Sequence, residues 1–210
     1  MKEHFEQYLN LKQLLIDTKP KHVLECGALD GENTNNLISL MPELGFNLTV
    51  ISDDLPIDRC YEHINYLKGV SYLEFPKLAD KSIDFCIIDT DHNYWTLQTE
   101  LISLHPKLTD GALVVMHDVE TFYYDTGVAE DYGDGTPYPQ KLIEDTGLKA
   151  GGLGTALIDF LSTNRFNYRM VRWIPEGNGC AVIRKNPNQF QMVCIKAMPG
   201  KGKRKETVDA

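Results

Sequence analysis

The chain has 210 residues, 42% of them hydrophobic, which suits one domain with a full core. Its 30 acidic against 21 basic residues leave a net charge of −9, which repels phosphate backbones and argues against nucleic acid as a substrate. No apolar run is long enough to span a bilayer, and with Lys2, Glu3 and His4 and no apolar core at the N-terminus no signal peptide is expected; five cysteines without tight spacing (Cys26, Cys60, Cys86, Cys180, Cys194) read as reduced thiols, so a cytoplasmic protein is expected.

Apolar positions at Phe5, Tyr8, Leu9, Leu11, Leu14, Leu15 and Ile16 predict a helix over 3–17, ended by Lys19-Pro20. A first strand over 22–25 runs into the turn Glu25-Cys26-Gly27-Ala28-Leu29-Asp30-Gly31, and a helix follows over 32–40. A second strand, 47–52, ends at Asp53-Asp54. A helix or turn covers 57–66, and a short third strand or loop contains Gly69-Val70-Ser71-Tyr72. The continuous apolar run 83–88 predicts a buried fourth strand that delivers Asp89-Thr90-Asp91-His92. A helix over 94–105 and a turn from Pro106 to Gly111, with Asp110-Gly111 as the breaker, precede a fifth strand over 112–116 that ends in His117-Asp118.

Strands alternating with helices predict an α/β chain, a Rossmann-like doubly wound and mostly parallel sheet. Beyond it, residues 119–139 carry Tyr123, Tyr124, Tyr132 and Tyr138 in a loop too long to be only a connector. Helices are predicted over 140–145 and 153–161. Segments 168–174 and 180–184, with Pro175 to Gly179 between them, predict a C-terminal antiparallel hairpin. Residues 1–198 read as a single domain, and the basic residues of 199–210 as a disordered tail.

Ligands of open α/β sheets sit beyond the carboxyl ends of the strands, so the fourth- and fifth-strand ends point at one crevice. The turn after the first strand borders the same crevice. Its glycines, Gly27 and Gly31, allow close backbone approach, and it opens a helix whose first amides favour electron-rich groups. The dinucleotide fingerprint G-x-G-x-x-G is absent. Asp53 follows Gly31 by 22 residues, at a strand end where a carboxylate can accept bonds from both ribose hydroxyls; Asp54 is the fallback.

These segments resemble the class I S-adenosylmethionine-dependent methyltransferases, and more closely the metal-dependent small-molecule O-methyltransferases and related bacterial families. Val23 to Gly31 is similar to their first motif. Gly69-Val70-Ser71-Tyr72 is similar to the segment that borders the adenine. Ile87 to Tyr94 and Leu108 to Asp118 are similar to their fourth- and fifth-strand motifs. The resemblance implies a methyltransferase domain that binds S-adenosyl-L-methionine through Glu25, Gly27, Ala28, Gly31, Asp53, Ser71 and Asp89. It also implies a divalent ion, Mg2+ or another, on Asp89, His117 and Asp118, with His92 as the general base.

The chemistry of the residues agrees with these roles. A hydroxyl is a poor nucleophile at neutral pH; a divalent cation lowers its pKa, and a nearby imidazole can take its proton. Magnesium prefers oxygen ligands, so His117 leaves the identity of the ion open. Asp91 is a second candidate ligand or an acceptor that orients His92. His4, His22, His63 and His105 lack such a context and read as structural or solvated. Trp95 packs either near the adenine or in the core. The expected acceptor is a small molecule bearing a hydroxyl, a sugar or a phenol, and a homo-oligomer is compatible with the chain. Two other classes compete: a non-catalytic S-adenosylmethionine-binding module, and a non-haem iron oxygenase using His92, His117 and Asp118 as a facial triad.

Overall fold

A computed structural model describes residues 2–53, 63–120, 152–174 and 179–187, with the side chains described from Asn10 onward. The elements in chain order are α1 (Lys2–Thr18), β1 (His22–Cys26), α2 (Glu32–Leu44), β2 (Asn47–Ser52), β3 (Asn65–Lys68), α3 (Ser71–Glu74), a 3-10 turn (Phe75–Lys77), β4 (Ile83–Ile88), α4 (Tyr94–Leu104), β5 (Leu108–His117), α5 (Leu153–Thr163), β6 (Tyr168–Ile174) and β7 (Cys180–Lys185). The seven strands form one sheet in the order β3-β2-β1-β4-β5-β7-β6. Strands β1 to β5 pair in parallel, and β7 runs antiparallel to both β5 and β6. This is the expected doubly wound sheet with its C-terminal hairpin. No described helix is long and apolar enough to cross a membrane.

Side chains on a strand alternate between faces, and the core divides accordingly. Leu24, Cys86, Ile88, Val114, Met116 and Ile183 pack on the face shared with Leu97, Leu101 and Leu104 of α4 and Leu157 and Phe160 of α5. Val23, Phe85, Ile87, Leu113, Val115 and Val182 pack on the other face with Leu15 of α1 and Leu37 and Leu40 of α2. Both faces of the central strands are thus covered, which is why 85–88 and 112–116 read as unbroken apolar runs. Cys26, Cys86 and Cys180 are buried free thiols.

Three expectations change. Asp110-Gly111 does not end a turn: β5 starts at Leu108, and the β4–β5 register shifts where Ile83 faces Leu108 and Phe85 faces Leu113. Gly111 at φ 87 absorbs that bulge, so a breaker sequence stays inside the strand. The third strand lies earlier than Gly69, at Asn65–Lys68, and takes in Tyr66, because these residues pair in parallel with Thr49 to Ser52. Ser71–Glu74 is instead a helical turn. Helix α2 runs past Leu40, through Pro42, and stops at Gly45 (φ 73), whose amide donates to the Met41 carbonyl at 2.8 Å. The helix expected over 140–145, most of the tyrosine-rich loop, Asp54 and the C-terminal tail lie outside the described residues.

Candidate active site

The carboxyl ends of β1 and β4 meet backbone to backbone. The Asp89 amide donates to the Cys26 carbonyl at 2.9 Å, and the Gly27 amide donates to the Ile51 carbonyl at 2.9 Å. Gly27 has φ 81, and a Cβ there would lie 1.9 Å from the Asp89 carbonyl oxygen. Only glycine meets both demands. The Ala28 amide donates to Ser52 Oγ at 3.2 Å, tying the turn to the end of β2. Gly31, at φ 82, starts α2. Asp53 is exposed just beyond β2.

Glu25 is fully buried beneath this turn. Its Oε2 accepts from Thr34 Oγ1 at 2.6 Å, and its Oε1 has no hydrogen-bond partner among the described residues. Burial pushes its carboxyl up to about 7, with the Asp89 charge adding to the rise and the Thr34 hydroxyl opposing it. A buried carboxyl oxygen left open beside a glycine turn suits a cationic or hydrogen-donating ligand group.

The second feature is a cluster of two carboxylates and two imidazoles. Asp89 follows β4, His92 precedes α4, His117 closes β5 and Asp118 follows it. His92 Nε2 lies 2.9 Å from Asp118 Oδ2 and 3.8 Å from Asp89 Oδ1. His117 Nδ1 lies 3.1 Å from Asp118 Oδ1 and 3.5 Å from Asp89 Oδ1. Asp118 holds φ 58, in the left-handed region that aspartate and asparagine tolerate better than other side chains.

The charges support one another. Asp118 and then Asp89 push the His92 imidazole up to about 9, against partial burial. Burial lowers His117, but the same carboxylates outweigh it and push it up to about 10. Burial opposes ionisation of Asp89 and Asp118, yet the two imidazoles hold both carboxyls below the usual range. Protons thus balance two converging negative charges, the task a divalent cation would perform. One ligand atom each from Asp89, His92 and Asp118 lies within 4.8 Å of the others. That spread fits donors placed roughly 2.0–2.6 Å from a common ion.

A third feature lies behind the cluster. Glu100 on α4 is fully buried. Its Oε1 accepts from Thr90 Oγ1 at 2.8 Å and from Ser71 Oγ, while its Oε2 has no partner among the described residues. It lines a small pocket together with Thr90, Asp91, His92, Met116 and His117. Trp95 packs edge-on against Tyr72, with ring centres 5.6 Å apart.

Burial pushes the Glu100 carboxyl up to about 7. A folded-state value above the unfolded one means that stability is fully present below the unfolded value and is lost as pH climbs toward the folded one. For Glu25 and Glu100 the window runs from 4.5 to about 7. Each can withdraw at most about 3 kcal/mol across it. Glu100→Gln, which cannot ionise, is therefore expected to flatten the fall in stability between pH 5 and 8. Urea unfolding at both values measures it, and an unchanged slope would contradict the buried-acid assignment.

The structure brings Asp89, His92, His117 and Asp118 together, sets Gly27 against Asp89 with Glu25 close by, and ties Ala28 to the end of β2 and Gly31 to Ala28. Ser71 points its hydroxyl at Glu100, and Asp91 lines the pocket rather than joining the compact trio. Glu100 was missed in the sequence reading. Its signal is visible in hindsight: Leu97, Glu100, Leu101 and Leu104 share one helical stripe, so a lone acid sits in an apolar face.

The profile of a family described as a methyltransferase domain matches residues 15–119. No curated protein matches the chain. Among solved structures, the chain is similar to a candidate caffeoyl-CoA O-methyltransferase from Staphylococcus aureus, at 16% identity and TM-score 0.59, covering 86% of this chain and 83% of that one. It is similar to the O-methyltransferase TomG from Streptomyces achromogenes, involved in tomaymycin synthesis and solved with SAM, at 13% identity and TM-score 0.56, covering 86% and 80%. It is also similar to an O-methyltransferase from Bacillus cereus in complex with SAH, at 13% identity and TM-score 0.53, covering 86% and 81%. At these identities the likeness is one of fold.

Proposed function

The chain belongs to the methyltransferase-domain family, and we propose that it moves a methyl group from S-adenosyl-L-methionine to a hydroxyl oxygen of a small molecule, a sugar or a phenol, assisted by a divalent ion. The observation that carries this reading is the convergence of Asp89, His92, His117 and Asp118 on one rim, next to the Gly27 turn. Family membership favours methyl transfer over the oxygenase chemistry that the two histidines and a carboxylate would otherwise allow.

Glu25, Gly27, Ala28 and Gly31 form the cofactor side, with Asp53 as the ribose acceptor and Ser71 on the far border. Asp89 and Asp118 hold the ion, with His117 beside them. When bound, the sulfonium supplies an electrophilic methyl, and the ion lowers the pKa of the acceptor hydroxyl. His92 accepts the hydroxyl proton, once the ion has taken over the carboxylates that now hold its imidazole protonated. The carboxylates that raise His92 are the ones assigned to the cation, so a bound ion would offset their charge and draw the imidazole back toward its ordinary range. His92 has a 38% exposed side chain against 24% for His117, so it is the imidazole more open to an acceptor.

The test is calorimetry with S-adenosylhomocysteine, followed by methyl transfer to a panel of phenols and sugars with Mg2+, Mn2+ or excess chelator. Binding together with metal-dependent product supports the reading. Full turnover in chelator removes the ion from it. Cofactor binding with no methylated product under any metal turns it toward the non-catalytic module.

A further inference from the structure

We propose that Glu100 is a positioning residue that locks the segment after β3 to the turn after β4, and so sets the cofactor border and the ion and base turn in one arrangement. The inference rests on the reading above, in which Ser71 borders the cofactor and Asp89 to His92 form the reacting rim.

The observations are geometric. In the sheet order β3-β2-β1-β4, the connections that leave β3 and β4 are three strand positions apart. At the usual strand spacing this is about 14 Å. Ser71 begins α3 after β3, and Thr90 lies two residues beyond β4. Both hydroxyls converge on one oxygen of Glu100. A hydroxyl has a single proton, so each side chain spends its donor on this carboxyl and its rotamer is fixed. Thr90 sits between Asp89 and Asp91 in chain, so fixing it limits the freedom of the Asp89-to-His92 turn. The Tyr72–Trp95 ring contact joins the segment after β3 to the start of α4, the helix that carries Glu100. The second oxygen of Glu100 is buried, has no partner among the described residues and belongs to a group lining the pocket that His92 and His117 share. A fully buried acid carries a desolvation cost that packing alone would not retain, since an apolar side chain would fill the space more favourably.

Glutamine keeps a carbonyl oxygen that can accept both hydroxyls; methionine keeps the length and burial but accepts neither. Hydrogen exchange on the cofactor-free protein and calorimetry with S-adenosylhomocysteine separate the two. Glu100→Met is expected to raise exchange in 69–74 and 89–93 together and to weaken S-adenosylhomocysteine by about tenfold or more. Exchange in 112–116 should stay as in the wild type. Glu100→Gln should restore affinity to within roughly threefold of the wild type. In turnover, Glu100→Met should lower kcat and raise the KM for S-adenosylmethionine, and Glu100→Gln should rescue both.

A folded Glu100→Met protein that binds S-adenosylhomocysteine as the wild type does would overturn the tie, as would a Glu100→Gln protein as weak as Glu100→Met. Where Glu100→Met does not fold, Thr90→Val removes one donor and carries the same test: unchanged exchange in 89–93 with unchanged affinity overturns the tie. A wild-type protein that fails to bind S-adenosylhomocysteine overturns the proposed function itself, and the tie with it.

Discussion

Asp118→Asn is expected to lower turnover by about a thousandfold while the protein still folds. Asp118 is the carboxylate nearest both imidazoles, at 2.9 Å from His92 and 3.1 Å from His117. It also forms one corner of the compact trio with Asp89 and His92. Asparagine removes the negative charge that the ion would need, but keeps an oxygen able to accept a hydrogen bond. The substitution is also clean for the backbone. At φ 58 Asp118 occupies a region where asparagine is tolerated as well as aspartate. Asp118→Ala would lose the same charge and add about 1 kcal/mol of left-handed strain. Comparing the two therefore separates charge from backbone. Both should lose turnover and Mn2+ binding measured by calorimetry, and only the alanine variant should melt appreciably earlier. Wild-type turnover in Asp118→Asn, or Mn2+ affinity equal to the wild type, would remove Asp118 from the ion site.

The parts of this site that were readable in the sequence are those where a buried strand stops at a chemical group. In a parallel sheet covered on both faces, the stretches 85–88 of β4 and 112–116 of β5 run apolar without a break, so Asp89 and His117-Asp118 stand out as the first residues freed from that demand. Adjacency in the sheet then follows from pairing: Ile88 lies opposite Met116, which places the two ends side by side. The Gly27 turn was readable for a related reason, since a glycine directly after a strand marks close backbone approach, here to the Asp89 carbonyl. What was not readable depends on contacts distant in sequence. Asp110-Gly111 has the local chemistry of a turn, and only pairing with β4 keeps it in the strand as a bulge. Asn65–Lys68 has too little apolar character to announce a strand, and its partner β2 makes it one. For Glu100 the apolar stripe marks burial but not its partners, because Ser71 and Thr90 lie 29 and 10 residues away.

The same logic bears on how the two imidazoles divide their work. Both contact the same carboxylates, so proximity alone does not separate a ligand from a base. Position does: His92 lies in the turn before α4 and is more exposed, and His117 still belongs to β5 and is more enclosed. His92→Ala is therefore expected to depress kcat by about a hundredfold to ten-thousandfold, the range for loss of a general base, with Mn2+ affinity within roughly threefold of the wild type. His117→Ala should do the opposite, weakening Mn2+ by about tenfold or more and lowering turnover only as far as ion occupancy falls. Saturating Mn2+ should then recover much of the His117→Ala rate and none of the His92→Ala rate. Calorimetry at fixed pH supplies the affinities, and turnover across a Mn2+ series supplies the recovery. A His92→Ala protein that loses its ion and regains activity when Mn2+ is raised would make His92 the ligand, as the trio with Asp89 and Asp118 allows geometrically. The proton would then have to leave the acceptor by another route, and His117, on the other side of the same carboxylates, would be the imidazole left to take it.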